Sequence, residues 1–316
     1  MAMNAERPVQ PKFRNRQLAG GLLLLAAIAL FDEWLGRFPN RQELGWRAAR
    51  IEFEPAPLAS SEFAPLRLAG AWRLSSKDPR FGGVSSLAID GGRLVALTDS
   101  GALIRFRPGD NLASIGELPD GPGSGGFKRN RDSEALVRDS LGRGWWVAFE
   151  NRHRLWLFDQ SFGRALRRID LGRRGWGDNR GIEGLAMDGD ALLLLHEDGD
   201  QLLRVTGNRA RSIRIAGARG RISEAAAIGP GRYLAVERRL TPMGFRNALV
   251  SLEKSGSGYR FGRRIRLPLG PFDNVEALAV ERRPDGALRL WLMTDDNFQR
   301  PFRTLVIALD WPPRRP

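Results

Sequence analysis

The chain has 316 residues, enough for one large domain or two ordinary ones, and a composition that is 42% hydrophobic and 27% charged excludes wholesale disorder. The absence of cysteine excludes disulfide scaffolds, thiol nucleophiles, zinc–thiolate sites and iron–sulfur clusters, and two histidines, His153 and His196, are too few for a multi-histidine metal site. Any metal is therefore held mainly by oxygen, and the formal net charge of +14 is carried by arginine, since Lys12, Lys77, Lys128 and Lys254 are the only lysines.

Residues 1–17 carry Arg7, Lys12, Arg14 and Arg16 against a single Glu6, and an unbroken apolar run of 14 residues follows at 18–31, closed by Asp32 and Glu33. A basic flank before a run of this length reads as a secretory signal or a short membrane anchor. No A-x-A cleavage signal follows, so residues 1–33 are expected to stay as an uncleaved signal-anchor, with the basic flank inside and the rest of the chain periplasmic or otherwise extracytoplasmic. Residues 34–62 read as a juxtamembrane interfacial helix and then a Pro/Ala/Ser linker.

From Gly82 onward five segments begin alike: GVSSLAID at 83–90, DSEALVRD at 132–139, GIEGLAMD at 181–188, SEAAAIGP at 223–230 and NVEALAVE at 274–281. Aligned on their apolar cores, they place Ser86, Glu134, Glu183, Glu224 and Glu276 at one position, in steps of 48, 49, 41 and 52 residues. That period suits a propeller blade of four strands. Each unit continues with a Gly/Asp turn, a strongly apolar second strand (RLVALT, GWWVAF, ALLLLH, RYLAV, LRLWLMT) and a third (ALIRFR, RLWLFD, QLLRV, ALVSLE, TLVIALD). The fourth is more variable: ASIGEL, ALRRIDL, SIRIA and RRIRLPL. The fifth unit ends at Asp310 after three strands, and PLRLAGAWRLS at 65–75 can supply the fourth, closing the ring. The expected fold is an all-β propeller of five four-stranded blades over residues 63–311, with six blades as the alternative and 312–316 as a tail.

First strands line the central channel, so the aligned Ser and four Glu should crowd around one opening. The second strands run back to the same end and finish in acids: Asp99, Glu150, Glu197, Glu237 and Asp295. Like charges at this density repel; one pair about 4 Å apart costs roughly 4 kcal/mol at an effective dielectric of 20, so cations must enter. Calcium, or less suitably magnesium, fits an oxygen-lined ring held by Ser86, Glu134, Glu183, Glu224 and Glu276. Arg131, Arg180, Arg238 and Arg300 lie within a few residues of an aligned acid and are candidates for binding an anionic substrate, together with Asn297.

The segments NRDSEALV, NRGIEGLA, LAVERR, NVEALAV and TDDNFQRPFRTLVIAL together resemble the phytase-like family, also described as having esterase-like activity of phytase. Its most specific parts are Glu237-Arg238 and the closing Asp295-Asp296-Asn297-Phe298 with Arg303-Thr304. The resemblance covers roughly residues 63–311 and implies a β-propeller, export, and hydrolysis of phosphoesters or esters. The chain departs from the pattern where the channel-strand glycine of EGL is Ala135, Ala225 and Ala277.

A metal-assisted hydrolase would use Asp99, Glu197, Asp295 or His196 as base or acid, on a phosphorylated or ester small molecule. No nucleophile elbow is present, and the Gly-rich stretch at 121–126 is not followed by a phosphate-binding Gly-Lys-Ser/Thr. The competing reading is a non-catalytic envelope module in which calcium only neutralises the ring. Nucleic acid ranks last among partners, because the arginines are spread along the chain rather than gathered in one basic element. The inner membrane is the expected partner of the N-terminal segment, and the propeller is expected to be a monomer.

Overall fold

In a computed structural model, residues 45–123, 130–172, 174–176 and 180–311 are described. The expected signal-anchor, the residues up to 44, part of the Gly-rich stretch and the tail at 312–316 lie outside them. Two strands precede the repeats, β1 (Arg47–Pro55) and β2 (Arg67–Ser76). The first repeat forms β3 (Val84–Asp90), β4 (Arg93–Thr98), β5 (Ala102–Phe106) and β6 (Leu112–Glu117). The second forms β7 (Ser133–Arg138), β8 (Gly144–Phe149), β9 (Arg154–Asp159) and β10 (Ala165–Asp170). The third forms β11 (Ile182–Asp188), β12 (Ala191–His196), β13 (Leu202–Thr206) and β14 (Arg209–Ile213). After the short β15 (Ile215–Ala216) come β16 (Arg221–Gly229), β17 (Arg232–Thr241), β18 (Gly244–Ser255) and β19 (Gly258–Leu267). The last repeat has β20 (Asn274–Arg282), β21 (Leu288–Asp295) and β22 (Leu305–Trp311).

Within each repeat, strands adjacent in sequence pair antiparallel, and β2 pairs with β22 as the outer strand of the last unit. The innermost strands touch in cyclic order, β3 to β7 to β11 to β16 to β20 and back to β3. The chain is thus an all-β propeller. Its apolar core lies between successive blades rather than at one centre. Val95, Leu97 and Leu103 meet Leu136, Trp145 and Val147. Trp146, Ala148 and Leu157 meet Leu185, Leu192 and Leu194. The seam from last blade to first joins Ala277, Trp291 and Met293 to Leu87, Ala96 and Ile104. Second strands such as β8 and β12 are buried along their whole length, as a continuous apolar run requires.

Residues 47–55 correct the expectation of a helix and linker over 34–62. They form β1, whose Ala49 and Ile51 are buried while Arg50 and Glu52 are exposed, a period of two that belongs to a strand. Its first half pairs antiparallel with β6 and its second half with β2, so it bridges the outer edges of the first and last blades. The innermost strands all start at one end of the ring, the mouth. Alternation of direction then makes β1 start at the mouth as well, where Gly45 O accepts a hydrogen bond from Arg80 Nη1 at 3.1 Å.

Hairpins at the opposite end are fastened by Asx-type turns. Asp139 accepts Arg143 Nε at 2.8 Å, Arg143 Nη2 at 2.7 Å, Trp146 Nε1 at 2.9 Å and the Leu141 N–H at 3.1 Å. The Arg143 hydrogen bonds outweigh burial and hold the Asp139 carboxyl at about 2. A depressed carboxylate stabilises the fold above its unfolded pKa and loses that contribution as pH falls through its folded pKa. Asp139→Asn should therefore cost about 2 kcal/mol at neutral pH. Urea denaturation should show the difference shrinking as the pH is lowered from about 4 toward about 2.

Candidate metal centre at the mouth of the ring

Near its start, every innermost strand skips one residue in its register against the second strand. The skipped residues are Ser85 in β3, Glu134 in β7, Glu183 in β11, Ser223 in β16 and Glu276 in β20. A bulged residue drops out of the ladder and its side chain is re-aimed. The structurally equivalent set is therefore three glutamates and two serines. Ser86 and Glu224 fall one residue later, level with Ala135, Gly184 and Ala277, which corrects their expected place in the ring. The two bulge serines reach the next blade: Ser85 Oγ donates to Ser133 O at 2.6 Å and Ser223 Oγ to Val275 O at 2.8 Å.

The second strands need the same correction in one blade. Thr98, Phe149, His196, Glu237 and Thr294 occupy one register position, opposite Val84, Ser133, Ile182, Ile222 and Val275. The next residues, Asp99, Glu150, Glu197, Arg238 and Asp295, face the mouth. Arg238, and not Glu237, is the fourth blade's contribution. Glu237 turns away and accepts Arg264 Nε at 2.7 Å, the Arg219 N–H at 2.6 Å and the Gly220 N–H at 3.1 Å. Burial pushes its carboxyl up, but these donors outweigh burial and hold it below the ordinary range. The same alternation turns His196 away from Glu197. Its ring is buried beside Trp176, with centroids 4.8 Å apart, and Nδ1 accepts the Asp198 N–H at 3.3 Å. Burial lowers its pKa despite Asp198 and Asp200 nearby.

The carboxylates that act on one another at the mouth include Asp99, Asp132, Glu134, Glu150, Glu183, Glu197, Glu276 and Asp295. Burial, then Glu183, Asp132, Glu150 and Asp99, pushes Glu134 well above the usual carboxylate range. Burial and Glu276 do the same to Glu183, against the opposing pull of Arg238. Asp295 is pushed up by burial, Asp99 and Glu276. Among the described residues, Arg238 supplies a cation within the ring. Its Nη1 donates to Glu276 Oε1 and, at 2.9 Å, to Asn274 Oδ1. Burial disfavours its charge, yet Glu276, Glu183, Asp295 and Glu134 more than compensate. Glu197 is held at the rim by Arg221 at 3.0 Å and Arg180 at 3.9 Å.

Arg238 serves the Glu276 side, whereas the largest charge effects on Glu134 all come from other carboxylates. There Asp132, Glu134 and Glu150 each offer an oxygen within 4.8 Å of the other two. Across the ring Glu276 Oε2 is buried without a hydrogen-bond partner. An all-oxygen donor set of this charge fits a hard divalent cation. Asp132 was not singled out in the sequence; its position two residues before Glu134 was the available signal. A second grouping, His196, Asp198 and Asp200, mixes nitrogen and oxygen donors, and its Asp198 already accepts Arg180 Nη1 at 3.0 Å.

The remaining sequence candidates are placed as follows. Arg131 Nη1 donates to Gly123 O at 3.2 Å and Asn130 O at 3.3 Å. Arg300 and Asn297 are exposed, and Asn297 holds left-handed backbone (φ 47) with its N–H on Asp295 Oδ1 at 2.8 Å. Asp296, next to Asp295, ties the last blade to the first by accepting the Gly83 N–H at 3.0 Å and Thr304 Oγ1 at 3.0 Å.

Beneath the ring, Glu224 crosses the axis. Ser86 Oγ donates to its Oε2, the Ala225 N–H donates to its Oε1 at 2.9 Å, and the Leu185 and Leu87 N–H groups also reach it. Ser86 Oγ in turn accepts the Leu136 N–H at 2.9 Å. Three blades thus converge on one carboxyl group and Ser86 links it to a fourth; burial raises its pKa well above the ordinary value in spite of these donors. Space is tight at this level: a Cβ on Gly184 would lie 3.0 Å from Ala225 Cβ.

The fold is similar to glutaminyl cyclase from Myxococcus xanthus, at 14% identity and a TM-score of 0.49, covering 78% of this chain and 96% of that one. It is also similar to the WD40 repeats of RRP9, at 11% identity and a TM-score of 0.42, covering 82% and 100% respectively. No curated protein sequence matches. The family model described as "Phytase-like: Esterase-like activity of phytase" matches residues 79–298, which span all five glutamate- or serine-bearing bulges, the ring arginine and both acids of the Asp295-Asp296 pair. The chain therefore belongs to the phytase-like family.

Proposed function

We propose that this propeller is a divalent-cation-dependent hydrolase of phosphate or carboxylate esters, with calcium as the cation, working outside the cytoplasm. Membership of the phytase-like family and the propeller fold fit a hydrolase-like role. The observation that carries the reading is the grouping of Asp132, Glu134 and Glu150 in the same ring as Arg238. Those three carboxylates would hold the cation, which when bound supplies charge to polarise the ester oxygen and to acidify a water molecule. Arg238 orients the substrate's anionic oxygen. Its guanidinium has five N–H donors, and the hydrogen bonds to Glu276 and Asn274 use Nη1 alone. Asp295 accepts the proton of the attacking water, its proton affinity raised by burial and by Asp99 and Glu276. Asp99 and Glu197 are the alternative acceptors.

The test is hydrolysis of a panel of phosphomonoesters, phosphodiesters and carboxylate esters by the purified full chain, with calcium and with chelator. Turnover should require the cation, and Arg238→Ala or Glu134→Gln should lower kcat/KM by roughly 100-fold or more. The second reading, a binding propeller whose cation is structural, is favoured by one observation: Arg131 and Arg180 are engaged by backbone carbonyls and by Asp198. Calcium-dependent thermal stabilisation without turnover on any ester would select it.

A further inference from the structure

The mouth carries a second feature that the ring does not use. Among the described residues the large exposed apolar side chains include Leu240 (75% exposed), Met243 (74%), Phe298 (51%) and Phe272 (48%). All four lie at the mouth end. β17 runs toward the mouth and β18 away from it, so Leu240 and Met243 sit at the tip of the hairpin between them. Phe272 is in the loop from β19 to β20, and Phe298 follows the end of β21. The tip is braced rather than loose. Leu240 is the cross-strand partner of Phe245, and the Phe245 N–H donates to Pro271 O at 2.8 Å. Phe302 packs edge-on against both Phe245 and Phe272, with ring centroids 6.2 and 6.0 Å away.

Cations gather on the hairpin tip of this apolar crest. Residues 238–249 contain no acid, and Arg239, paired across the hairpin with Arg246, is exposed like Arg246, Arg266 and Arg300. Of the loop acids, Asp273 is paired with Arg303 at 2.6 Å, while Asp296 is held by neutral donors, the N–H groups of Gly83 and Phe298 and Thr304 Oγ1. Most of the ring acids are recessed: Glu183, Glu197, Glu276 and Asp295 are at least nine-tenths buried, while Glu134 and Asp99 are partly exposed. An apolar crest flanked by arginines is the chemistry of an interfacial membrane contact. The chain path points the same way. β1 begins at the mouth, and the apolar run at 18–31 is separated from Gly45 by only 13 residues, a reach of at most about 45 Å.

We infer that the mouth of the propeller, through the 239–246 tip and the loops bearing Phe272 and Phe298, docks on a bilayer surface containing anionic lipid. Leu240, Met243 and Phe272 enter the interface, and Arg239, Arg246, Arg266 and Arg300 meet the phosphates. The inference is independent of whether the ring hydrolyses anything.

The absence of cysteine allows a clean test. Full chain carrying Met243→Cys, or Leu141→Cys on the hairpin at the opposite end, is labelled with a fluorophore and reconstituted in vesicles. The vesicles contain phosphatidylcholine with or without phosphatidylglycerol, and quencher on their acyl chains. The probe at 243 should be quenched in the anionic vesicles and the probe at 141 should not. Removing Arg239 and Arg246 by alanine substitution should weaken docking of the tip about fivefold per arginine. Equal quenching at both positions, or none at 243, overturns the inference. So does a probe at 243 that is shielded without vesicles and only at high protein concentration, which would make this face a contact between copies of the chain. Each labelled variant must melt with the parent, which both exposed positions permit.

Discussion

Glu224→Leu should lower the melting temperature by roughly 10 °C, the equivalent of about 3–5 kcal/mol, whereas Glu224→Gln should cost much less. Leucine matches the volume but accepts nothing. It leaves the N–H groups of Leu87, Leu185 and Ala225 without their acceptor and releases Ser86 Oγ, which carries the Leu136 N–H. These donors come from four different blades, so the damage falls on the contacts that hold the first strands in a circle. Glutamine keeps one acceptor oxygen on the axis. Differential scanning calorimetry of the two variants reads the difference directly. If Glu224→Leu melted with the parent protein, the carboxyl group would have no part in holding the axis.

Glu134→Gln should act in opposite directions depending on whether a divalent cation is present. Without one, the substitution removes a carboxyl group crowded by Glu183, Asp132, Glu150 and Asp99, and the protein should melt at a higher temperature. With calcium, the parent should be stabilised and the variant much less, because one of three converging oxygen donors is gone. The pH dependence has a defined sign. A carboxyl group whose folded pKa is raised binds more protons folded than unfolded. In the cation-free protein the contribution of Glu134, Glu183 and Asp295 should therefore be greatest on the acid side and be lost as pH rises toward and through their raised pKa values. Stabilisation by calcium should grow over the same interval and be accompanied by proton release. Thermal melts across pH, with and without chelator, check both. A parent protein whose melting is indifferent to divalent cations at every pH would remove the metal centre.

The blade repeat was legible because it rests on the apolar pattern of buried strands, which tolerates a shift of one residue. The ring was less so, because a side chain's direction inverts with each residue. Alignment on apolar cores matched Glu224 with Glu134, yet the bulge in β16 falls on Ser223. Counting from the hairpin turn gives the correct register: Arg232 answers to Arg93, so Arg238 answers to Asp99 and Glu237 to Thr98. Arg238 was legible as an anion-binding candidate, but Glu237 was placed in the ring in its stead, although an arginine at that position is what a crowded ring of carboxylates requires. His196 was drawn into the site by its adjacency to Glu197, and in a strand adjacency places two side chains on opposite faces. The β1 strand was hidden by the tryptophans and arginines before it, while its alternating Ala49 and Ile51 carried the signal.

β1 has a mechanical meaning. The strand is held along its length by two different partners, β6 through its first half and β2 through its second. Tension applied upstream of Gly45 meets a strand aligned with the pull and loads these hydrogen bonds in shear, together, instead of opening them one by one. A propeller tethered through this end can therefore bear traction on its leash while the innermost strands stay unstressed.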